Sequence, residues 1–175
     1  IGSCSLCHWA GASGGWRNGH VSFIFNGVEG GKAFAPNKNY MNLNIIVLAK
    51  QVPDTRCVNQ GTMNADCTIN RAALPVIVNP DDMRALEQAL LLKDRYPGST
   101  IQVLTMGPSR AADVVRECLF RGADGGYLLS DGAFAGADTL ATSYALATAI
   151  GKMGKCDIVL CGRQAIDGET AQVGS

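Results

Sequence analysis

Short apolar runs alternate with helix-like segments along the chain from Met41 to Ser175. These runs occupy residues 43–49, 100–106, 126–129 and 157–161. Near-continuous apolar runs of this length are typical of parallel strands that are covered on both faces. Strands that alternate with helices of ordinary length form βαβ units with right-handed crossovers. We therefore predict an α/β fold of the Rossmann-like type, with an open parallel sheet and helices on both faces.

The first predicted helix has a well-marked beginning. Asn79 is a good N-cap residue, Pro80 suits the first helical position, and the acids Asp81 and Asp82 favour the positive end of the helix dipole. The apolar face at helical spacing contains Met83, Leu86, Leu90 and the stem of Lys93. Local sequence therefore favours capping as the role of Asn79.

Two further helices and a short hairpin complete the predicted elements. The second helix follows residues 107–109 and ends at Gly122, and the third begins at Asp138 or Thr139. We expect the apolar side of the third helix to contain Leu140, Tyr144, Ala147 and Ile150. Residues 68–71 and 74–78 are predicted to pair as a hairpin before the first helix.

Composition excludes several classes of function. The chain has 175 residues, 47% of them hydrophobic, and a formal net charge of +0, which gives no attraction to nucleic acid or to a membrane surface. No segment approaches the roughly 20 apolar residues of a membrane helix, so we expect no membrane insertion. The seven cysteines are an odd number, and we expect a cytoplasmic protein with mostly reduced thiols.

The first forty residues differ in composition from the rest. They hold both histidines, both tryptophans and a single acid, Glu29, and their only strand-like run is Val21–Phe25. The motif Cys4-x-x-Cys7-His8 has the spacing of c-type haem attachment, which gives a remote alternative function as a haem protein. The composition favours a mis-assigned start, with Met41 as the true one.

The most informative loop follows the fourth predicted strand and covers residues 162–174. It is polar and punctuated by glycine, with Arg163, Gln164, Asp167, Thr170 and Gln172 among its residues. Ligands of open α/β sheets bind beyond the carboxyl ends of the strands. Because neither a Walker motif nor a G-x-G-x-x-G fingerprint is present, a nucleotide at this loop would be bound by another geometry.

Four segments, in order along the chain, resemble the β subunit of electron transfer flavoprotein. They are residues 47–55, residues 79–82 with Ala85-Leu86-Glu87, residues 104–108 and the loop 162–174. The sequences Gln51–Thr55, Asn79–Asp82 and Ala165–Gly174 are similar to the anaerobic, electron-bifurcating members of that family. Glu169 stands where those members more often have aspartate, which keeps a carboxylate but lengthens its reach.

The resemblance implies an adenine nucleotide site that holds either FAD or AMP. The site residues carried over to this sequence are Leu48, Ala49, Lys50, Asn79, Pro80, Asp81, Asp82, Met106, Gly162, Arg163, Gln164, Ala165, Ile166, Asp167, Gly168, Glu169, Thr170, Ala171, Gln172 and Val173. No residue is predicted to be a catalytic acid, base or nucleophile, because the flavin carries its own chemistry.

The resemblance also implies partners and an organisation of the chain. The partner is an electron transfer flavoprotein α subunit, which forms a heterodimer that moves electrons between dehydrogenases, such as acyl-CoA dehydrogenase, and an acceptor. NADH and ferredoxin are implied if the protein is of the bifurcating type. Residues 1–40 are then a non-family extension, disordered or mis-assigned. Residues 41–175 are the N-terminal part of one domain, C-terminally truncated, with strand order 3-2-1-4. A stand-alone adenine-nucleotide-binding module is the alternative.

Overall fold

The computed structural model describes residues 21–25, 42–57 and 74–174. Its strands are β1 (Val21–Phe25), β2 (Asn44–Leu48), β3 (Gln51–Pro53), β4 (Val76–Val78), β5 (Thr100–Met106), β6 (Gly125–Leu129) and β7 (Ile158–Gly162). Its helices are α1 (Pro80–Arg95), α2 (Ala112–Phe120) and α3 (Thr139–Met153). Short 3-10 turns lie at Thr55–Cys57, Ser109–Ala111 and Gly132–Phe134. Among the described helices, none has the length and apolar character needed to cross a bilayer.

The main sheet among the described residues has five strands in the order β1-β7-β2-β5-β6. The pairs β7–β2, β2–β5 and β5–β6 are parallel. The predicted order 3-2-1-4 is therefore confirmed, because the four predicted strands correspond to β2, β5, β6 and β7. The α/β class and the parallel sheet are confirmed with it.

The backbone of β1 adds an antiparallel strand beside β7, with Phe23 opposite Leu160. These five residues belong to the segment predicted to be an extension. The rest of residues 1–40, including Cys4, Cys7 and His8, lies outside the described residues. The haem alternative and the assignment of the start therefore stay predictions.

Side chains of β2, β5 and β7 alternate between two layers of core, as expected for a doubly covered sheet. Ile45 and Val47 face the layer that contains α1 and α2, where Leu86 is buried. Ile46 faces the opposite layer, where it packs with Leu146 of α3. The helices thus cover both faces, and the carboxyl ends of the parallel strands stay open at one edge of the sheet.

Two predictions about the helices are confirmed and one is wrong. Asp138 caps α3, because its side chain accepts a hydrogen bond from the N–H of Ala141, and Gly122 follows α2 with φ +117°. The predicted apolar face of α3 is wrong at three positions, because Leu140, Tyr144 and Ala147 are all exposed. Leu140 and Tyr144 are 77% and 76% exposed, and the buried residue of the helix is Leu146. An alanine-rich helix carries apolar residues on several sides, so periodicity alone did not define its buried face.

Only one strand of the predicted hairpin lies in the part of the chain that the structure describes. Val76–Val78 pairs with Gln51–Pro53 as a small antiparallel sheet. Residues 68–71 lie outside the described residues, so their pairing with 74–78 stays a prediction. The register places Gln51 opposite Val78, directly after β2 and directly before α1. This pairing brings the segment after β2 and the start of α1 to the same edge of the sheet.

Candidate functional site

A cleft of about 400 Å³ lies at the carboxyl edge of the sheet, between the ends of β2 and β7. The helix that follows β2 and the helix that precedes β7 pack on opposite faces of the sheet, an arrangement that opens a crevice between these two neighbouring strands in folds of this type. Pockets for small molecules usually measure about 300 to 1,000 Å³. The cleft therefore has the position and the size of a ligand site.

Residues from all four segments identified in the sequence line the cleft. The predicted residues that do so are Leu48, Ala49, Lys50, Asn79, Asp82, Met106, Gly162, Arg163, Gln164, Ala165, Gly168, Glu169, Thr170, Ala171, Gln172 and Val173. Pro80, Asp81, Ile166 and Asp167 do not line it, although they are adjacent in sequence to residues that do.

The start of α3 forms a wall of the cleft that sequence reasoning missed. The additional lining residues are Leu104, Ala137, Asp138, Thr139, Thr142, Leu146, Cys161 and Gly174. The sequence could have predicted this wall, because the helix of a βαβ crossover begins at the carboxyl edge of the sheet. The sequence predicts Asp138 only as a cap, which is also its observed role.

The interior of the cleft is apolar at the sheet and polar at the loop. Leu104 and Leu146 are buried, and Met106 packs against the same apolar cluster. Cys161 is also buried, and burial raises the pKa of its thiol to about 11, so it lines the cleft as a neutral group. A planar apolar ring can therefore contact the sheet side while polar groups face the loop.

Asn79 holds the loop instead of capping α1. Its side chain makes no capping hydrogen bond. The amide Nδ2 donates to the carbonyl of Gln164 at 2.8 Å, and the N–H of Ile166 donates to Oδ1 at 3.2 Å. The interpretation of Asn79 as a cap is therefore wrong, because tertiary contacts 85 and 87 residues away satisfy its amide.

Asp82 joins the ends of the two central strands. Its Oδ2 accepts from the N–H of Lys50 at 2.9 Å, and its Oδ1 accepts from the N–H of Gly162 at 3.0 Å. Burial raises the pKa of this carboxyl to about 6, and the hydrogen bonds from Lys50, Asn79 and Gly162 oppose that shift. Both carboxylate oxygens are thus engaged by backbone groups that line the cleft.

Gly162 allows α1 to approach the end of β7 closely. A Cβ at this position would lie 2.5 Å from Oδ1 of Asp82 and 2.6 Å from the carbonyl carbon of Asp81. Real Cβ atoms do not approach backbone atoms so closely. The glycine at the start of the loop is therefore required by packing against α1.

The second half of the loop lies against α3. The hydroxyl of Thr139 donates a hydrogen bond to Oε1 of Gln172 at 2.9 Å. Ser143 Oγ lies 3.2 Å from the carbonyl of Val173. Glu169 and Ala171 have φ of 52° and 54°, a left-handed conformation that L-residues rarely adopt. The loop thus spans the cleft from α1 to α3.

Comparison with known proteins identifies the family. A model of the electron transfer flavoprotein domain matches residues 66–175. The chain belongs to the electron transfer flavoprotein family. This confirms the resemblance that the four sequence segments predicted.

The curated relatives of this family member include β subunits. It is 56% identical over 133 residues to the caffeyl-CoA reductase-Etf complex subunit CarD of Acetobacterium woodii, a match that covers 76% of this chain and 50% of the relative. It is 53% identical over 132 residues to the electron transfer flavoprotein subunit beta of Clostridium acetobutylicum, covering 75% and 49%. It is 50% identical over 136 residues to protein FixA of Azorhizobium caulinodans, covering 75% and 47%. The chain thus spans about half the length of these relatives.

Proposed function

We propose that this electron transfer flavoprotein family member acts as a β-type subunit and binds an adenine nucleotide, FAD or AMP, in the cleft. The observation that carries the proposal is the convergence of the four family segments on one cleft at the carboxyl edge of the sheet. The segments are far apart in sequence, and the fold brings them together.

The chemistry of the lining residues fits an adenine nucleotide. The leucine and methionine side chains at the sheet can contact the adenine ring, and the hydroxyls of Thr139, Thr142 and Thr170 can bond to ribose or phosphate. Lys50 and Arg163 supply positive charge for phosphate. A volume of about 400 Å³ lies at the lower end of the range for ligand pockets, so we expect it to hold AMP or the adenine half of FAD.

The chain's own contribution to redox chemistry is binding and orientation. When FAD is bound, its isoalloxazine ring supplies electron acceptance and donation. Asn79 and Asp82 fix the loop that surrounds the ligand, and Arg163 is placed to interact with phosphate or with an anionic ring. The described residues of the cleft are thus assigned to binding, and none is assigned to acid or base catalysis.

The relatives suggest the setting in which the protein works. CarD is named as a subunit of a caffeyl-CoA reductase-Etf complex, and another relative, from Anaerotignum propionicum, is named as an acryloyl-CoA reductase electron transfer subunit. By analogy, this chain pairs with an α-type subunit and transfers electrons between a dehydrogenase or reductase and an acceptor. The similarity in residues 165–174 favours bifurcation, in which the two electrons of NADH are divided between ferredoxin and a second acceptor. The composition of the chain favours the cytoplasm as its location.

The test is a count of released nucleotides. The protein is purified from its native source in complex with its α-type partner, and FAD and AMP are quantified per heterodimer after acid release. Two FAD and no AMP would support a bifurcating subunit with FAD in the cleft. One FAD and one AMP would support a conventional carrier. Nucleotide bound without any partner would favour a stand-alone module, and the absence of both nucleotides would contradict the proposal.

A further inference from the structure

Lys50 and Asp167 form an ion pair between the end of β2 and the loop. Lys50 Nζ lies 2.8 Å from Oδ1 and 2.9 Å from Oδ2 of Asp167. The lysine lines the cleft, whereas the aspartate does not. The lysine side chain is 50% exposed and the aspartate side chain 22% exposed. One of the cations at the mouth of the cleft is therefore paired with a carboxylate that lies outside it.

The two partners are held by different parts of the fold. The backbone of Lys50 is fixed, since its N–H donates to Asp82 and its carbonyl accepts from the N–H of Asn79 at 2.9 Å. Asp167 lies in a turn in which the N–H groups of Gly168 and Glu169 both donate to the carbonyl of Ala165. Rotation of the lysine side chain can therefore change its partner without movement of either backbone.

The other charged residues that line the cleft make its net charge depend on this lysine. They are those of Arg163, Asp82, Asp138 and Glu169. Three of these four residues are acidic, although Asp82 and Asp138 accept backbone hydrogen bonds. A phosphate in the cleft thus meets more acids than bases as long as Lys50 remains paired with Asp167. Release of the lysine changes that balance.

We propose that Asp167 competes with the ligand phosphate for Lys50, so that this pair sets how strongly the cleft prefers phosphorylated over unphosphorylated adenine ligands. The proposal rests on the function proposed above. An exposed ion pair is weak, whereas a phosphate dianion offers the ammonium group a stronger, charge-assisted hydrogen bond. A phosphate can therefore displace the carboxylate, and part of its binding energy is spent in doing so.

The experiment measures the affinities of adenosine, AMP and ADP by calorimetry on the full chain after removal of bound nucleotide. ADP represents the pyrophosphate of FAD, and AMP represents a monophosphate. In Asp167→Asn, we expect AMP affinity to rise about 3- to 5-fold, the range set by a weak exposed pair, with adenosine unchanged. In Lys50→Met, we expect AMP affinity to fall about tenfold or more, again with adenosine unchanged.

The matched control is Lys155→Met. Lys155 forms a similar exposed ion pair with Asp157, 3.2 Å apart, just before β7 and away from the cleft. We expect its removal to leave all three affinities unchanged. A larger gain for ADP than for AMP in Asp167→Asn would support competition by a pyrophosphate.

Two outcomes would overturn the inference, and they are distinguishable from failure of the proposed function. If the ratio of AMP to adenosine affinity is the same in wild type, Asp167→Asn and Lys50→Met, then Lys50 does not bind phosphate. If Asp167→Asn weakens adenosine and AMP equally, then the pair only holds the loop in place. If neither adenosine nor AMP binds wild type, the proposed function itself is wrong.

Discussion

The two halves of the loop, residues 162–167 and residues 168–174, are attached to the protein in different ways. The first half is fixed to α1 by Asn79 and Asp82, which are 1% and 8% exposed. The second half contacts α3 through Thr139 and Ser143, and the hydrogen bond of Thr139 to Gln172 is exposed. Groups withdrawn from water lose much more when their partners are removed than groups that water can reach. The first half of the loop is thus held rigidly against α1, and the second half can change conformation at a lower cost in free energy.

The largest effect that we expect is the pH dependence caused by Asp82. Burial raises its pKa from 3.8 to about 6 in the folded protein. Between these values the folded state binds more protons than the unfolded state, so stability falls as pH rises. One pKa unit corresponds to about 1.4 kcal/mol, which gives a total loss of about 3 kcal/mol as the pH rises from below the unfolded pKa to above the folded pKa; about 2 kcal/mol of it falls between pH 4 and 6. Urea denaturation across this range measures it.

The control for this effect is Asp82→Asn, which does not titrate. We expect its free energy of unfolding to be nearly constant between pH 4 and 6. The carboxyls of Asp54, Asp124 and Asp157 have lowered pKa values, so their contributions decrease as pH falls, mainly below about pH 4, which is opposite in sign to the effect of Asp82. A slope in Asp82→Asn equal to that of wild type would show that another group is responsible.

Removal of the Asn79 amide is the next largest change. In Asn79→Ala, the N–H of Ile166 loses its acceptor and the carbonyl of Gln164 loses its donor, and we expect a loss of about 2 kcal/mol. The variant Asn79→Ser distinguishes the two possible roles of Asn79, holding the loop and capping α1. A serine hydroxyl can cap α1 but cannot reach both the carbonyl of Gln164 and the N–H of Ile166. In urea denaturation, we expect the free energy of unfolding of Asn79→Ser to be nearly as low as that of Asn79→Ala. If Asn79 acted as a cap, Asn79→Ser would have the stability of wild type.

Alanine substitution at two glycines tests how closely the loop is packed at its start and at its middle. In Gly162→Ala, the new methyl group would overlap the backbone of Asp81, and we expect a loss of about 2 kcal/mol. In Gly168→Ala, no heavy atom lies within 4 Å of the new Cβ, and we expect a change within about 0.5 kcal/mol. Equal losses in the two variants would contradict the close packing around Gly162 and the open space around Gly168.

Much of this architecture followed from the sequence, and the exceptions have physical causes. Strand periodicity and the N-terminal signals of α1 are local properties, so they were predictable. The role of Asn79 was not, because the same side chain that suits a cap also suits a long-range amide bridge. The wall formed by Thr139 and Thr142 depends on where the α3 crossover passes, which the local sequence does not specify. The buried face of α3 was mispredicted because Leu140 and Tyr144 repeat at helical spacing on its exposed side.

Relief of backbone strain should stabilise the second half. Ala171 has φ of 54°, a left-handed conformation that costs an L-residue about 1 to 2 kcal/mol. Ala171→Gly removes this cost but increases the entropy of the unfolded chain, so we expect a net gain of up to about 1 kcal/mol in denaturation. Ala165→Gly is the control, because Ala165 is not left-handed, and it should lose about 0.5 to 1 kcal/mol. A loss in both variants would show that the conformation at Ala171 is not strained.

The smallest effect is expected at the contact of the loop with α3. Thr139→Val keeps the shape of the side chain and removes the hydroxyl that donates to Gln172. Because water can replace this exposed hydrogen bond, we expect a loss of about 0.5 kcal/mol in urea denaturation, well below that of Asn79→Ala. Amide hydrogen exchange should agree, with Ile166 protected in Thr139→Val and exchanging faster in Asn79→Ala. If Thr139→Val cost as much as Asn79→Ala, burial would not determine the strength of the two attachments, and both halves of the loop would form a single rigid unit around the cleft.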